Sequence, residues 1–451
     1  MATEAEHLAA AGDTGGPWNL PGLLGGVAVV VALLGLPFVV TATAAIAEVV
    51  FVVFFLRHFA FAVSALRSAP ADLQTPVLRD GRFRPRVTVL VACKNEESVV
   101  EGMVASLLAL DYRRDRLQLL VVDDGSTDRT GALLDAFAAR HAHLACLHRA
   151  PDAVPGKSAA LNAALGLVTG EIVVVFDADH HPDRAAVTRL VTHFRDPRVG
   201  AVQGRCEIRN PDDSPLSRLI AIDYMAGYLV NEYGRQSLFQ LPAYGGANCA
   251  VRTSSLLRAG GWNPRSVTED TDLTVRLLLA GERIRYDVNA VDREEGVVTL
   301  QRFWRQRYRW ARGHQQVCRD YRRSVWTARH LSAWDKVETT MFLYVYHLPV
   351  VSALGLLVVL VWSFGLARPT TPLNLTMFWT LLFLGPLLEL GAGLLVSGAE
   401  RRNARALAYF LPLFFVSIAL CAKAWLDGIS GRPYGWVKTK RSADETPLVV
   451  A

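Results

Sequence analysis

Hydrophobic and polar positions are unevenly distributed along this chain. Leu20 to Leu56 is almost free of charge, and so are Thr339 to Ala367, Leu373 to Gly398 and Ala406 to Leu426, apart from Glu48, Glu389 and Lys423. Runs of about 20 apolar residues have the length of membrane-spanning helices. The intervening stretch, roughly Arg79 to Arg329, is charged like a soluble domain. As one helix, Leu20–Leu56 would be about 55 Å long against a hydrocarbon core of about 30 Å. The pattern therefore predicts two spans broken near Pro37–Thr43; one span plus an interfacial segment is the other reading. The long apolar run and the absence of Lys or Arg before it argue against a signal peptide.

Within the charged stretch, strand-like runs alternate with helical patterns. Strands are expected at Arg86–Cys93, Leu117–Val122, "LACLH" and "EIVVVF". Helices are expected at Glu97–Leu110, at Asp128–Arg140 with Ser126, Thr127 or Asp128 as cap, and along "GKSAALNAALGLV". Continuous apolar strands each followed by a helix imply an α/β fold with a mostly parallel sheet covered on both faces. Ligands of such sheets bind at the carboxyl ends of strands, where "CKNE", "DDGSTD" and "DAD" all fall. The resulting division is a disordered N-terminus (1–19), a membrane region of two helices (20–66), the α/β domain (80–299), amphipathic interface helices (300–332), a membrane region of about three helices (339–426) and a tail (427–451). Residues 69–85 read as a linker.

Charge adds orientation. Arg57, Arg67, Arg79, Arg82, Arg84 and Arg86 follow the first apolar set, and Arg302 to Arg329 precede the second. Basic residues favour the cytoplasmic side, so the α/β domain and the "ERRNAR" loop (Glu400–Arg405) are placed there. Three C-terminal spans would put the basic "WVKTKR" outside, against that rule, so the side of the tail stays open. The net charge of +6 is concentrated beside the membrane and points to anionic lipid rather than nucleic acid. The six cysteines show no paired spacing and are expected as free thiols.

The polar clusters carry the candidate chemistry. Asp177 and Asp179, one residue apart at a strand end, are either solvated turn acids or ligands of a hard divalent cation. His180 and His181 are either ligands or surface histidines, with His181 read as surface. "DDGSTD" offers acids that can accept from a base edge or ribose, or else a turn and a helix cap. Lys157 opens a helix, where it either meets phosphate or is solvated. Three acids, Glu269, Asp270 and Asp272, begin another helix. Helix electrostatics accounts for some of them, and a general base for the rest. "RFWRQRYRWARGHQQ" (Arg302–Gln316) interleaves arginines with aromatics, as an interfacial helix or as a phosphate- and sugar-binding one.

Taken together, "VACKNEE", "DDGSTD", "GKSAALN", "DADH", "TEDTD" and "QRYRW" resemble, in order and spacing, the processive, membrane-embedded family 2 glycosyltransferases, which include cellulose, chitin, hyaluronan and poly-N-acetylglucosamine synthases. The resemblance runs from about Val87 to Gly313. It implies a GT-A (Rossmann-like) domain inserted between N- and C-terminal transmembrane helices, in a multi-pass plasma-membrane protein. Asn95, Glu96 and Asp124 would hold the uridine, Lys157 would lie near the nucleotide, and Asp177 and Asp179 would bind Mg²⁺ or Mn²⁺ on the diphosphate. Asp270, with Glu269 beside it, would be the catalytic base. Gln306, Arg309 and Trp310 match QxxRW, which holds the diphosphate and the acceptor end. Lys94 stands where the family often has an aromatic, and Asn248 and Cys249 depart from polymer-specific versions of the acceptor-side loop.

The implied reaction is inverting transfer from a UDP-sugar, UDP-GlcNAc or UDP-glucose, to a growing β-linked polysaccharide or oligosaccharide. Export would run through the bilayer, with accessory export subunits and no nucleic acid as partners. The alternative is a non-processive transferase acting on a lipid such as ceramide or a polyprenyl phosphate. A non-enzymatic transporter or scaffold is disfavoured by the presence of every expected acid.

Overall fold

Strands covered on both faces have to be apolar at nearly every position, and the first strands are built that way. A computed structural model of the chain describes residues 20–76, 83–371, 375–398, 403 and 405–432. The expected disorder at 1–19, linker residues 77–82, most of the Glu400–Arg405 loop and the tail from 433 lie outside the described residues. β1 (Val87–Cys93), β2 (Leu117–Asp123), β3 (Leu144–His148) and β4 (Ile172–Asp177) pair in parallel, in the order β3-β2-β1-β4. One face packs on the helix Val100–Leu108 through residues such as Met103 and Leu107. The other packs on Leu161, Trp262, Leu273 and Leu277.

Four further strands follow that continuous apolar runs do not announce: β5 (His181–Pro182), β6 (Val199–Ile208), β7 (Cys249–Arg252) and β8 (Arg283–Glu294). β7 lies between β4 and β6 and is antiparallel to both. β6 and β8 are parallel, and β5 closes the edge antiparallel to β8. The sheet is therefore mostly parallel, as expected, with β7 and β5 as the two antiparallel strands of a mixed GT-A sheet. The reversal of β7 follows from the excursion between β6 and β7, which goes out through the helix Pro215–Ala226 and two π-helical turns and brings the chain back in the opposite direction.

Apolar helices flank this domain on both sides. Among the described residues, four are long and apolar enough to cross a membrane: Leu36–Asp72, Val345–Ser363, Thr380–Ser397 and Ala406–Ile429. The N-terminal break falls at Gly35, not at Pro37–Thr43. Gly35 has φ 79°, a conformation only glycine adopts freely. Pro37 sits in the first turn of the next helix, where its missing N–H is not needed. The preceding helix, Leu20–Leu34, has 15 residues, shorter than about 20 needed to span. The helix Leu36–Asp72 has 37 residues and carries on into the domain, where Phe61, Ala65 and Ala69 pack on Leu229, Val230 and Tyr233. The start of the expected linker, Ala69–Asp72, is thus helical.

Candidate active site

The loops after β1 and β2 are stitched together by short polar side chains. Asn95 adopts φ 52°. Its N–H donates to Ser126 Oγ (2.9 Å) and its Oδ1 accepts from the Thr127 N–H (2.8 Å). The Glu96 N–H donates to Thr130 Oγ1 (2.8 Å). Asp128 Oδ1 accepts from the Thr130 N–H (3.0 Å) at the start of the helix Thr130–Ala138, whose N-cap position is Arg129. Gly125 has φ 67°, and a Cβ there would stand 2.9 Å from Pro151 Cα. The paired acids divide. Asp123 faces His148 Nδ1 (2.9 Å), whose Nε2 faces Asp135 (2.9 Å). These two carboxylates raise the histidine's pKa. Asp124 turns to the cavity, ion-paired with Arg149 and accepting from the Gly156 N–H (3.1 Å). Glu96 and Asp124 line the cavity, whereas Asn95 clamps the loop behind it.

At the end of β4, Asp177 and Asp179 enter the same cavity, which has a volume of about 660 Å³. Lys157 reaches in from its helix. Its Nζ lies 2.5 Å from Asp177 Oδ1, donates to Gly246 O (3.0 Å) and is 3.8 Å from Glu269 Oε1. Burial lowers this lysine's pKa, but Asp177 and Glu269 outweigh it and raise the pKa above the ordinary value. Glu269 and Asp270 open the helix Glu269–Leu279 on the cavity wall. Burial raises both carboxyls, against the pull of Lys157 and Arg309. The third acid is different: Asp272 is bound by Arg276 Nε (2.6 Å), Asn263 (3.0 Å) and Tyr321 (2.9 Å), and is a structural pin.

The loop before β7 runs close over Asp270. A Cβ on Gly246 would lie 3.1 Å from Asp270 Oδ2. Gln203 holds this loop by accepting from the Gly245 N–H (2.6 Å). Asn248, at φ 47°, donates to Arg205 O (2.9 Å) and Ala290 O (2.7 Å). Asn248 is therefore buried scaffolding.

Gln306, Arg309 and Trp310 recur at helical spacing on one face of the helix Leu300–Thr327, and all three line the cavity. Arg309 Nε is buried without a hydrogen-bond partner. Arg307 pairs with Asp223 (2.6 Å) and lies 4.4 Å over the Trp310 ring. Gly313 continues the face, and a Cβ there would fall 2.5 Å from Thr268 Cγ2.

Asp177 and Asp179 offer the carboxylate oxygens that Mg²⁺ or Mn²⁺ accepts, so the donor chemistry fits a divalent cation. His180 is buried, not on the surface. It is paired through Nδ1 with Asp292 and through Nε2 with Glu294 (3.0 Å), which raise its pKa although burial opposes them. His181 bonds Ser106 (2.9 Å) and accepts from Arg209 (2.9 Å) and is likewise no free surface group. The sequence reading missed Arg149, Gly246, Gly313 and Gln203.

A family model described as "Glycosyltransferase like family 2" matches residues 85–313. A β-monoglucosyldiacylglycerol synthase of Synechocystis is 36% identical over 283 residues, 62% of this chain and 58% of that protein. A poly-β-1,6-N-acetyl-D-glucosamine synthase of Staphylococcus aureus is 27% identical over 264 residues, 57% of this chain and 63% of that protein. The chain thus spans less than two thirds of the length of these curated relatives. In fold it is similar to a mannosyltransferase from Pyrobaculum calidifontis, solved with GDP-Man and Mn²⁺. The TM-score is 0.59 at 23% identity, covering 86% of this chain and 100% of the other.

Proposed function

The chain belongs to the family 2 glycosyltransferases, and we propose that it moves a hexose, with inversion, from a UDP-sugar to a hydroxyl of a membrane lipid. UDP-glucose and UDP-N-acetylglucosamine are the proposed donors. Glu96 and Asp124 would receive the uridine. Arg309, whose Nε has no hydrogen-bond partner among the described residues, would meet the diphosphate. Asp177 and Asp179 would hold Mg²⁺ or Mn²⁺, which supplies positive charge to the departing diphosphate. Asp270 would take the proton from the acceptor hydroxyl while that oxygen bonds to the anomeric carbon. The bond from that carbon to the diphosphate oxygen breaks, and its electron pair leaves with UDP. No covalent sugar–enzyme bond is required. Gln306 and Trp310 would seat the acceptor end.

One observation carries the choice of a lipid over a polymer. The cavity reaches His58 and Glu389 on two of the apolar helices. Two helical turns farther from the domain, Phe51 and Leu382 are buried against Leu348, Phe383 and Phe414. A sugar chain crossing the bilayer needs polar groups along its path, because unmet hydroxyls in an apolar medium cost about 2–7 kcal/mol each. An acyl chain does not. The relative named as a glucosyldiacylglycerol synthase supports the same reading. The polymer reading, with export subunits, retains support from the poly-N-acetylglucosamine synthase relative. The test is purified protein in nanodiscs given radiolabelled UDP-glucose or UDP-N-acetylglucosamine. Label extracted into chloroform as a single glycolipid is the expected result; label in an ethanol-insoluble polymer refutes it.

A further inference from the structure

The membrane-side end of the cavity is walled by polar and ionisable groups that the transfer chemistry does not use. Arg57 and His58 come from the helix Leu36–Asp72, Asn231, Glu232 and Arg235 from the π-helical segment, and Glu389 from the span Thr380–Ser397. Behind them stands Glu338, 1% exposed. Its carboxylate accepts from Arg57 Nε (3.0 Å), Arg57 Nη2 (2.7 Å) and Arg235 Nε (3.1 Å). Arg57 Nη1 donates to Asn231 Oδ1 (3.3 Å), and Asn231 Nδ2 donates to Glu389 Oε2 (2.9 Å). The other oxygen of Glu389 meets His58 Nδ1. Arg235 also pairs with Glu232 (3.5 Å), whose other oxygen accepts from the Ala243 N–H (2.8 Å). Residues far apart in sequence thus form one closed network.

Its charge balance is informative. Three carboxylates, Glu232, Glu338 and Glu389, face two guanidinium groups and one imidazole. Each arginine of the network is already matched to a carboxylate, so the network itself has no spare positive charge to offer a phosphate. Adding an anion would place it beside three acids in a partly buried site, where repulsion is weakly screened. The network's N–H groups and carboxylates are paired with one another, so the polar edge it lends the cavity suits uncharged hydroxyls and ester carbonyls rather than a phosphate. Ionisable groups at membrane depth are costly unless they are used or paired, and these border the cavity.

We propose that this network is the acceptor-headgroup site, and that it selects an uncharged lipid with a free hydroxyl, of the diacylglycerol class, over a polyprenyl phosphate. The inference rests on the lipid-acceptor reading above. It is tested with the full chain in phosphatidylcholine nanodiscs carrying either dioleoylglycerol or undecaprenyl phosphate, with labelled UDP-sugar and thin-layer separation of products. Wild-type protein should label dioleoylglycerol at about ten times the rate of undecaprenyl phosphate, a difference of about 1.4 kcal/mol. E389Q removes one negative charge and keeps the hydrogen-bonding shape. It should raise the KM for dioleoylglycerol about tenfold, leave the KM for UDP-sugar unchanged, and narrow the preference between the two lipids. Preferential labelling of undecaprenyl phosphate by the wild type overturns this inference and leaves a lipid acceptor standing, with its phosphate oxygen in place of a hydroxyl. Label found only in water-soluble polymer overturns the lipid reading itself. Should E389Q fail to fold, the wild-type comparison still decides; a folded E389Q with unchanged KM and preference refutes the assignment.

Discussion

Gly313 sets how closely the helix bearing Arg309 and Trp310 approaches the segment leading into Glu269 and Asp270. Replacing it with alanine would put a Cβ 2.5 Å from Thr268 Cγ2, 2.6 Å from Oγ1 and 2.9 Å from Cβ. Carbon atoms normally rest about 3.5–4.0 Å apart, so the helix or Thr268 has to give way by about 1 Å. Thr268 directly precedes the two carboxylates, and its C=O accepts the Asp272 N–H (3.1 Å). It is thus not free to move alone. Misplacing reacting groups by about 1 Å costs about 10²-fold in rate. G313A should therefore lower kcat by about 10²-fold, with a smaller change in the KM for UDP-sugar. The partner variant makes the reasoning specific. T268G deletes all three crowding atoms, and Thr268 Oγ1 makes no hydrogen bond that would be lost. T268A leaves only the 2.9 Å contact. In a double-mutant cycle, G313A/T268G should recover most of the rate and G313A/T268A part of it. The coupling should fall in the range of about 0.5–3 kcal/mol seen for touching residues. The assay is UDP release under saturating donor, with thermal melting as the control for folding. Wild-type turnover in G313A, or no recovery in the double variant, would refute the argument.

Further outcomes follow from the carboxylates. D270N removes the proposed base and should lower kcat by about 10²–10⁴-fold. Burial raises the folded-state pKa of Asp270 and Glu269. The stability linked to their protons is therefore full below the ordinary carboxylate pKa and is lost as pH rises through the raised values. D270N should accordingly keep or increase the melting temperature at neutral pH; a clear decrease contradicts the assignment. For the same reason the acid limb of kcat/KM should lie above the ordinary carboxylate range, as a pH–rate profile would record. Thorough chelation should abolish UDP release, and added Mn²⁺ or Mg²⁺ should restore it. D177N/D179N should resist that rescue, and undiminished turnover in chelator would exclude the cation's role.

How much of this could be read from the chain depends on the range over which each feature is determined. The apolar runs of β1, β2 and β4 and the polar clusters at their ends are local patterns, so both the parallel half of the sheet and the rim where the acids gather follow from sequence. β8 alternates buried with half-buried positions, and β7 has four residues. Such strands acquire their direction only from the neighbours they join. The acids of "TEDTD" look equivalent in the sequence. Only the arrival of Asn263, Arg276 and Tyr321 at Asp272 separates a pin from the two cavity-facing groups. The same limit applies to the acceptor. The motif order is shared by enzymes that extend polymers and by enzymes that modify lipids, because both must bind nucleotide, neutralise diphosphate and deprotonate a hydroxyl. What distinguishes them has to lie where the acceptor enters. In this chain the proposed acceptor site is assembled from Arg57, Arg235, Glu338 and Glu389, residues whose pairing no local pattern dictates. A network there whose arginines are already paired with carboxylates, with packed phenylalanines beyond it, is a poor path for a polysaccharide and a suitable seat for the head of a neutral lipid.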